Sequence, residues 1–342
     1  MLFVVSNILL NLFFLVLCPW LNAHSPETIS WFYDPGYGVG YVFLANLICT
    51  SLQMLFFVNE LRGFQYVLDK ALIKRMFSYS FPILILGLAG ILNQTVDKII
   101  FPFLLDNANE ARVQLGIYGA ASKIAMVMAM FTQAFRYAYE PFVFGKEKDG
   151  DSRQTYASAM KFFVIFTLLA FLAVMFYMDI LRYIITPDYW PGLKVVPIVM
   201  AAEMFMGVYF NLSFWYKLID ETRWGAYFSL IGCVIIVLLN IIFVPIYGYI
   251  ACAWAGLAGY FTVTLLSYFV GQKKYPINYD LKRIGLYVLL AAVLYVASVF
   301  IVPENVVFRL LFRTGLLFVF IAFIVKKDLP LKQIPLLNHF IK

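Results

Sequence analysis

Charge is what this chain has least of. Only 13% of its 342 residues are charged and 63% are apolar, against about 25% and about 45–50% in ordinary soluble domains. That shortage excludes a water-soluble globular protein and leaves the bilayer as the solvent. Histidine is scarce too, with only His24 and His339 near opposite ends. The four cysteines, Cys18, Cys49, Cys233 and Cys252, stand singly within or at the edges of apolar runs, where they behave as small apolar residues. No Cys-x-x-Cys or Cys/His spacing exists, so no metal site and no cofactor are expected. Alternation of polar and apolar positions is missing as well, which argues against a β-barrel. No charge precedes Glu27, although a signal peptide or signal anchor usually carries basic residues ahead of its apolar run. The chain reads as though it begins inside a helix whose upstream flank is missing.

What is present is a series of apolar runs of roughly 20 residues, the length that crosses a hydrocarbon core of about 30 Å. Backbone polar groups in lipid need internal partners, so these runs must be helical. Ten candidate spans lie near 1–21, 37–58, 77–103, 116–144, 158–185, 195–216, 224–246, 249–271, 284–302 and 306–325. The expected fold is an all-α integral membrane protein with about ten transmembrane helices. Pro82, Gly87 and Gly90 fall inside one span and predict a kink or a close helix contact there.

Orientation follows from basic residues, which favour cytoplasmic loops. The joins at 59–75, 145–161, 217–223 and 272–283 and the tail from Lys326 carry 18 Lys and Arg, against 3 in the alternate joins. Both termini are therefore expected in the cytoplasm. The same bias accounts for the net charge of +7 without any nucleic-acid partner.

An internal similarity is also visible. Asn7-Ile8-Leu9-Leu10-Asn11-Leu12-Phe13-Phe14, followed by Tyr37-Gly38-Val39-Gly40, has a counterpart in Val237-Leu238-Leu239-Asn240-Ile241-Ile242-Phe243, followed by Tyr247-Gly248-Tyr249-Ile250-Ala251. In each, a Leu-Leu-Asn span leads to a Tyr-Gly turn, with a small residue three or four places after the tyrosine (Gly40, Ala251), and a second span. Both copies start on the same side by the charge tally, which describes a parallel repeat of the kind found in two-lobed transporters.

The stretches Tyr79-Ser80-Phe81-Pro82 and Leu92-Asn93-Gln94-Thr95-Val96-Asp97-Lys98 resemble the seventh span of polysaccharide flippases. Gly116-Ile117-Tyr118-Gly119-Ala120-Ala121-Ser122-Lys123-Ile124 and Phe131 through Pro141 resemble the start and end of their eighth. These are the Wzx-type O-antigen and capsule exporters of the multidrug/oligosaccharidyl-lipid/polysaccharide superfamily. The resemblance implies a MATE-like, two-lobed transporter fold in the bacterial cytoplasmic (inner) membrane, acting in lipopolysaccharide and other surface polysaccharide biosynthesis. By the same resemblance the first four spans are absent, so the amino-terminal lobe is incomplete. Residues 1–75 would be its remnant, 76–272 the carboxy-terminal six-helix lobe, and 273–342 two further spans with a cytoplasmic tail. The implied substrate is an undecaprenyl diphosphate-linked repeat unit, flipped by alternating access in membrane lipid, with polysaccharide assembly proteins as possible partners.

Charges inside spans are the candidates for this work, because each costs about 2.5–3.5 kcal/mol or more at the bilayer centre unless paired or wet. Asp97 and Lys98 lie at a depth matching Lys123 on the next span, and Asn93 shares a face with Asp97. An Asp97–Lys123 ion pair is expected, with Lys98 facing either a cavity or the headgroups. Gln133, Arg136 and Glu140 form a second polar stripe, either a helix-exit cap or part of a cationic cavity. Lys98, Lys123, Arg136, Asn93 and Gln133 are the substrate-binding candidates, since a diphosphate needs Lys or Arg partners. Glu203, Asp97 and Glu140 are the ion-pair or coupling candidates. Asp179, Arg309 and Arg313 sit near span ends and are expected at the interface. Trp20, Trp31, Trp190, Trp215 and Trp224 also fall at span ends, as an aromatic belt predicts; Tyr209, Phe210, Phe214 and Tyr216 belong either to that belt or to a sugar-stacking surface.

Other function classes are weighed against this one. A cation-coupled drug or small-molecule antiporter of the same superfamily would show a more acidic cavity. An enzyme such as a glycosyltransferase or polymerase would need a large outer loop with catalytic acids and bases, and the longest outer join, 22–36, offers only His24, Glu27 and Asp34. A non-transporting truncated remnant is the third alternative.

Overall fold

The computed structural model describes residues 2–56, 69–145, 152–219 and 221–328. Residues 57–68 and 146–151, Asp220 and the tail 329–342 lie outside the described residues. All described elements are helical, as a backbone immersed in lipid requires. Eight helices among the described residues are long and apolar enough to cross a membrane, and Gly40–Leu55 is a shorter apolar helix. The chain divides into two compact units, Met1–Ser78 and Tyr79–Lys342.

In the first unit, α1 (Leu2–Leu12) runs through a π-helical turn at Phe13–Leu17 into α2 (Cys18–His24). Two short 3-10 turns, Pro26–Thr28 and Pro35–Tyr37, lead to α3 (Gly40–Phe56). Phe14, Cys18, Ile29, Tyr33, Tyr41 and Ala45 form its small core. The loop is tied down from within: the Asp34 amide donates to the Tyr41 hydroxyl at 2.7 Å, and the Gly36 amide donates to the Asp34 carboxylate at 2.8 Å. An amide–amide hydrogen bond from Asn7 to Asn46 joins α1 to α3, the sort of polar link that helices in lipid use where apolar contact alone discriminates little.

α4 (Lys70–Ile100) begins in the first unit and ends in the second. It is continuous as a helix, and at Gly90 an added Cβ would meet nothing within 4 Å. No close helix contact is made at Gly90, which opens onto a cavity described below; Pro82 and Gly87, the other residues behind the expected kink or close contact, lie outside the described side chains. The second unit continues with α5 (Ala108–Gly145), α6 (Ser152–Phe176), α7 (Met178–Leu181), a 3-10 stretch at Pro187–Val195, α8 (Val196–Leu212) and α9 (Phe214–Leu218). It ends with α10 (Arg223–Tyr247), α11 (Tyr249–Lys274), α12 (Leu281–Phe300) and α13 (Val306–Lys327).

Helix pairing in this unit relies on small residues and a few polar links. A Cβ on Gly259 of α11 would come within 2.5 Å of Ile236 in α10, and one on Gly207 of α8 within 2.3 Å of Phe163 in α6. These glycines let the backbones approach closely. The Thr264 hydroxyl of α11 donates to the Phe205 carbonyl of α8 at 2.9 Å. α12 and α13 attach to α6. At one end Asp328, just after α13, receives Lys161 of α6, Arg283 and Tyr287. At the other, the Asp179 carboxylate lies 2.7 Å from Arg309 and 2.8 Å from Arg313, and Tyr177 meets Thr314 at 2.8 Å. These charges form a part-buried interhelical cluster, a closer arrangement than their positions near span ends suggested.

Trp215 also departs from expectation. It is 2% exposed, its ring lies against Gly271, and its indole N–H donates to Ser267 at 3.3 Å. The glycine supplies the room and the serine the acceptor, so this tryptophan is core. Trp20 and Trp31 are exposed, as belt residues would be.

Candidate functional site

Two cavities of the second unit gather most of the charges singled out in the sequence. The first, about 390 Å³, is lined by Gln94, Asp97 and Lys98 of α4, Tyr118, Ser122 and Lys123 of α5, Glu203 of α8, and Tyr260 of α11. On α4 the spacing of Gln94, Asp97 and Lys98 puts all three on one helical face. Room for the hollow comes from Gly119 and Gly256, where a Cβ would meet nothing within 4 Å.

Asp97 is 8% exposed. It accepts a 2.7 Å hydrogen bond from the Tyr118 hydroxyl and a 2.8 Å bond from the Lys98 amide. The ion pair expected between Asp97 and Lys123 does not form. Asp97 is instead taken up by Tyr118, five residues before Lys123 on α5. The Lys98 ammonium lies 5.8 Å from the centre of the same phenol ring, within the range of a cation–π contact. Among the described residues neither Lys98 nor Lys123 forms an ion pair, and Glu203 has neither a hydrogen bond nor an ion pair. Two ammonium groups and a half-buried carboxylate thus face one polar hollow.

The second cavity, about 400 Å³, is lined by Gly90, Gln94, Arg136, Tyr209, Phe210, Tyr216, Lys217 and Tyr260, among others. Gln94 and Tyr260 line both cavities, so these two side chains form the wall between them. The Arg136 guanidinium lies 5.3 Å over the Phe210 ring, and the Lys217 ammonium lies 5.0 Å over Phe214. The Tyr209 and Tyr216 hydroxyls are 3.3 Å apart. Tyr209, Phe210 and Tyr216 therefore face a cavity rather than a membrane interface, while Phe214 is buried edge-on against Tyr139 at 5.3 Å.

Of the residues singled out in the sequence, Lys98, Lys123, Asp97 and Glu203 are brought together in the first cavity, and Arg136 lines the second. Gln133 is half-buried and lines neither. The side chains of Asn93 and Glu140 lie outside the described ones. Sequence reasoning missed Gln94, Tyr118, Tyr260 and Lys217. Gln94 carried a readable signal, since it precedes Asp97 by one helical turn; the tyrosines carried none beyond being aromatic. No group of three or more His, Cys, Asp or Glu that could hold a metal ion occurs among the described residues.

Residues 28–138 match the polysaccharide biosynthesis protein family, a segment that contains nearly all of the stretches from which the flippase resemblance was drawn. No curated protein matches the sequence. Among solved structures the chain resembles lipid II flippase MurJ in its inward closed conformation, with a TM-score of 0.65 and 16% identity over 85% of this chain. It spans 63% of that chain. In sequence over residues 28–138 this protein is thus similar to the polysaccharide biosynthesis proteins, and in fold over most of its length to a lipid II flippase.

Proposed function

We propose that this chain moves lipid-linked glycans across a membrane for surface polysaccharide assembly, and that the two cavities of its second unit receive the polar head. One observation carries the reading. Four cationic side chains, Lys98, Lys123, Arg136 and Lys217, line the two cavities, against two carboxylates, Asp97 and Glu203. One of those carboxylates is already engaged by Tyr118.

A diphosphate is the ligand chemistry that uses Lys98 and Lys123, two ammonium groups facing one cavity with no ion pair among the described residues. Its oxygens take charge-assisted hydrogen bonds from ammonium and guanidinium donors, and in a low-dielectric wall these are worth more than in water. The uncharged glycan would lie in the second cavity, beside half-buried Phe210 and the hydroxyls of Tyr209 and Tyr216. The isoprenoid tail stays in lipid. Exposure of the cavities to one side and then the other carries the head across with no covalent step. In this reading residues 76–272 are the transporting lobe, 273–342 an added pair of helices and tail, and the basic joins face the cytoplasm of a bacterial inner membrane. Undecaprenyl diphosphate-linked repeat units are the substrate class, and polysaccharide assembly proteins the partners.

Glu203 supports a second element of the proposal. A half-buried carboxylate with no hydrogen bond or ion pair among the described residues, facing the same cavity as Lys98 and Lys123, suits a coupling cation that competes with those lysines. A pure drug/cation antiporter would invert the balance of charge seen in the two cavities.

The test is complementation of a flippase-deficient strain by this chain, beside a version extended upstream, together with translocation of lipid-linked glycan and of a cationic dye in proteoliposomes. Glycan translocation that dye does not compete for is the expected result. Dye transport without glycan transport would establish the antiporter instead, and failure of both versions would leave the chain a non-transporting remnant.

A further inference from the structure

Lys123 belongs to two cavities at once. Besides the polar one, it lines a separate crevice of about 260 Å³ formed with Ala120, Ile124 and Val127 on α5 and with Leu181, Ile184, Ile185, Thr186 and Tyr189 beyond α6. Apart from Lys123, the Thr186 hydroxyl and the Tyr189 phenol, this second lining is aliphatic. The segment that closes it is held in place independently of any ligand. Trp190 donates to the Arg182 carbonyl at 3.1 Å, Tyr249 of α11 donates to the Pro191 carbonyl at 3.0 Å, and Gly192 packs against the Ile117 carbonyl.

The position of Lys123 along its helix is equally telling. It stands 15 residues from Ala108 and 16 from Tyr139, the ends of the apolar span. An exposed ammonium within an apolar helix, without an ion pair among the described residues, sits at the seam between a hollow lined by several polar side chains and a mostly aliphatic one. An amphiphile with an anionic head and a hydrocarbon chain matches that seam: charge on the polar side, chain on the other, and the cation where they join. Neither a free anion nor a plain hydrocarbon uses both linings.

Resting on the flippase reading, we infer that the crevice between α5 and the 181–189 segment takes the first isoprene units of the substrate, with Lys123 at the junction holding the phosphate nearest the chain. The head then occupies the cavity of Lys98 and Glu203, and the rest of the tail leaves the protein past the exposed Ile184 and Tyr189. Lys123 is in this account the residue that sets where head ends and tail begins.

The experiment uses the full chain in lipid nanodiscs and two ligands. One is a polyprenyl diphosphate-linked glycan with a diazirine on the isoprene units nearest the diphosphate; the other is the water-soluble glycan diphosphate without the chain. Photolysis on the unaltered protein is expected to label peptides containing 120–127 and 181–189. Ile184→Asp, an exposed position, is expected to weaken binding of the long-chain ligand about tenfold and leave the soluble one unchanged, whereas Lys123→Ala weakens both. Labelling confined to other helices, or equal loss of both ligands in Ile184→Asp, would overturn the crevice assignment while soluble-ligand binding that depends on Lys98 keeps the flippase reading. If neither ligand binds the unaltered protein, both readings fall.

Discussion

Tyr118 engages both members of the Asp97-Lys98 pair: its hydroxyl donates to the Asp97 carboxylate at 2.7 Å, and its ring lies 5.8 Å from the Lys98 ammonium. One phenol thus takes up the acid and leaves the ammonium pointing into the cavity. Hydrogen bonds to charged groups contribute about 1.5–3 kcal/mol, and stripping the donor from a buried acid costs at least that. Tyr118→Phe should therefore lower the thermal stability of the protein by about that amount. In a double-mutant cycle with Asp97→Asn, the two changes should be strongly non-additive, as expected for groups in direct contact. Additive losses would show that the hydrogen bond contributes nothing to the folded state.

Lys98 and Lys123 carry the functional proposal. Lys98→Ala and Lys123→Ala should each weaken binding of a glycan diphosphate by roughly tenfold or more, since each removes a charge-assisted contact worth over about 1.4 kcal/mol. Melting temperatures should fall little, because neither ammonium has an ion-pair partner among the described residues and Lys98 would lose only its cation–π contact with Tyr118, worth about 0.5–1 kcal/mol. Titration calorimetry and thermal unfolding on the same preparations separate the two effects. Full export and binding in both variants would remove the cationic-cavity argument.

Glycines separate cavity from packing. Gly256 faces open space, whereas a Cβ on Gly259, one turn on, would come within 2.5 Å of Ile236. Gly256→Leu should fill the first cavity and abolish translocation with little change in unfolding temperature. Gly259→Ala should cost about 1–3 kcal/mol of stability through overpacking. Detergent-solubilised melting curves beside a liposome transport assay would show the two variants failing in opposite ways. A Gly256→Leu protein that transports normally would place the substrate path elsewhere.

How much of this was legible in the sequence depends on the length scale of the signal. Span positions follow from runs of apolar residues, and α8, α10, α11 and α12 begin and end close to where those runs do. The mid-span charges were equally plain, because a lysine in lipid demands a cavity or a partner. Which partner Asp97 would find was not, since that depends on the rotation of α5 against α4. Nothing in the pattern distinguishes Tyr118 from the 22 other tyrosines. Trp215 misled for a related reason: a tryptophan at a span end reads as interfacial unless the glycine that accommodates it, Gly271, is known to lie opposite. Cavity walls share the same difficulty, because Gln94 and Tyr260 come from helices far apart in the chain.

Asp328 should give the protein an acid limit. Burial alone would raise its carboxyl, but hydrogen bonds from Lys161, Tyr287 and Arg283 outweigh it and hold the group below the usual carboxylate range. A depressed folded-state pKa contributes stability that is complete above the unfolded value of about 3.9 and disappears as the pH falls through the folded one. Melting temperatures of the native protein and of Asp328→Asn should therefore run parallel from pH 7 to about pH 5. Below about pH 4 the native curve should fall towards that of the variant. Parallel curves down to pH 3 would mean that Asp328 does not hold α12 and α13 to α6 through its charge.

The two Tyr-Gly turns of the internal repeat offer the last test. Gly38 has φ 48° and ψ −119°, and Gly248 has φ 59° and ψ −142°; no other glycine among the described residues has positive φ. Each follows a tyrosine, and each stands where the second span of its copy begins, so the sequence similarity is matched by a shared backbone conformation. Side chains pay about 1–3 kcal/mol in such regions, and Gly38→Ala should cost about that alone, since its Cβ would meet nothing within 4 Å. At Gly248 the Cβ would lie 2.1 Å from the Gln114 amide oxygen, which accepts the Tyr249 amide at 3.2 Å. Gly248→Ala must displace that oxygen and leave the first amide of α11 without its acceptor, so its loss should exceed that of Gly38→Ala. Adding Gln114→Ala to Gly248→Ala relieves the clash but not the backbone strain, and should change little further because the acceptor is already gone. Equal losses in the two glycine variants would show that Gln114 yields freely, and that the turn is held by backbone conformation alone.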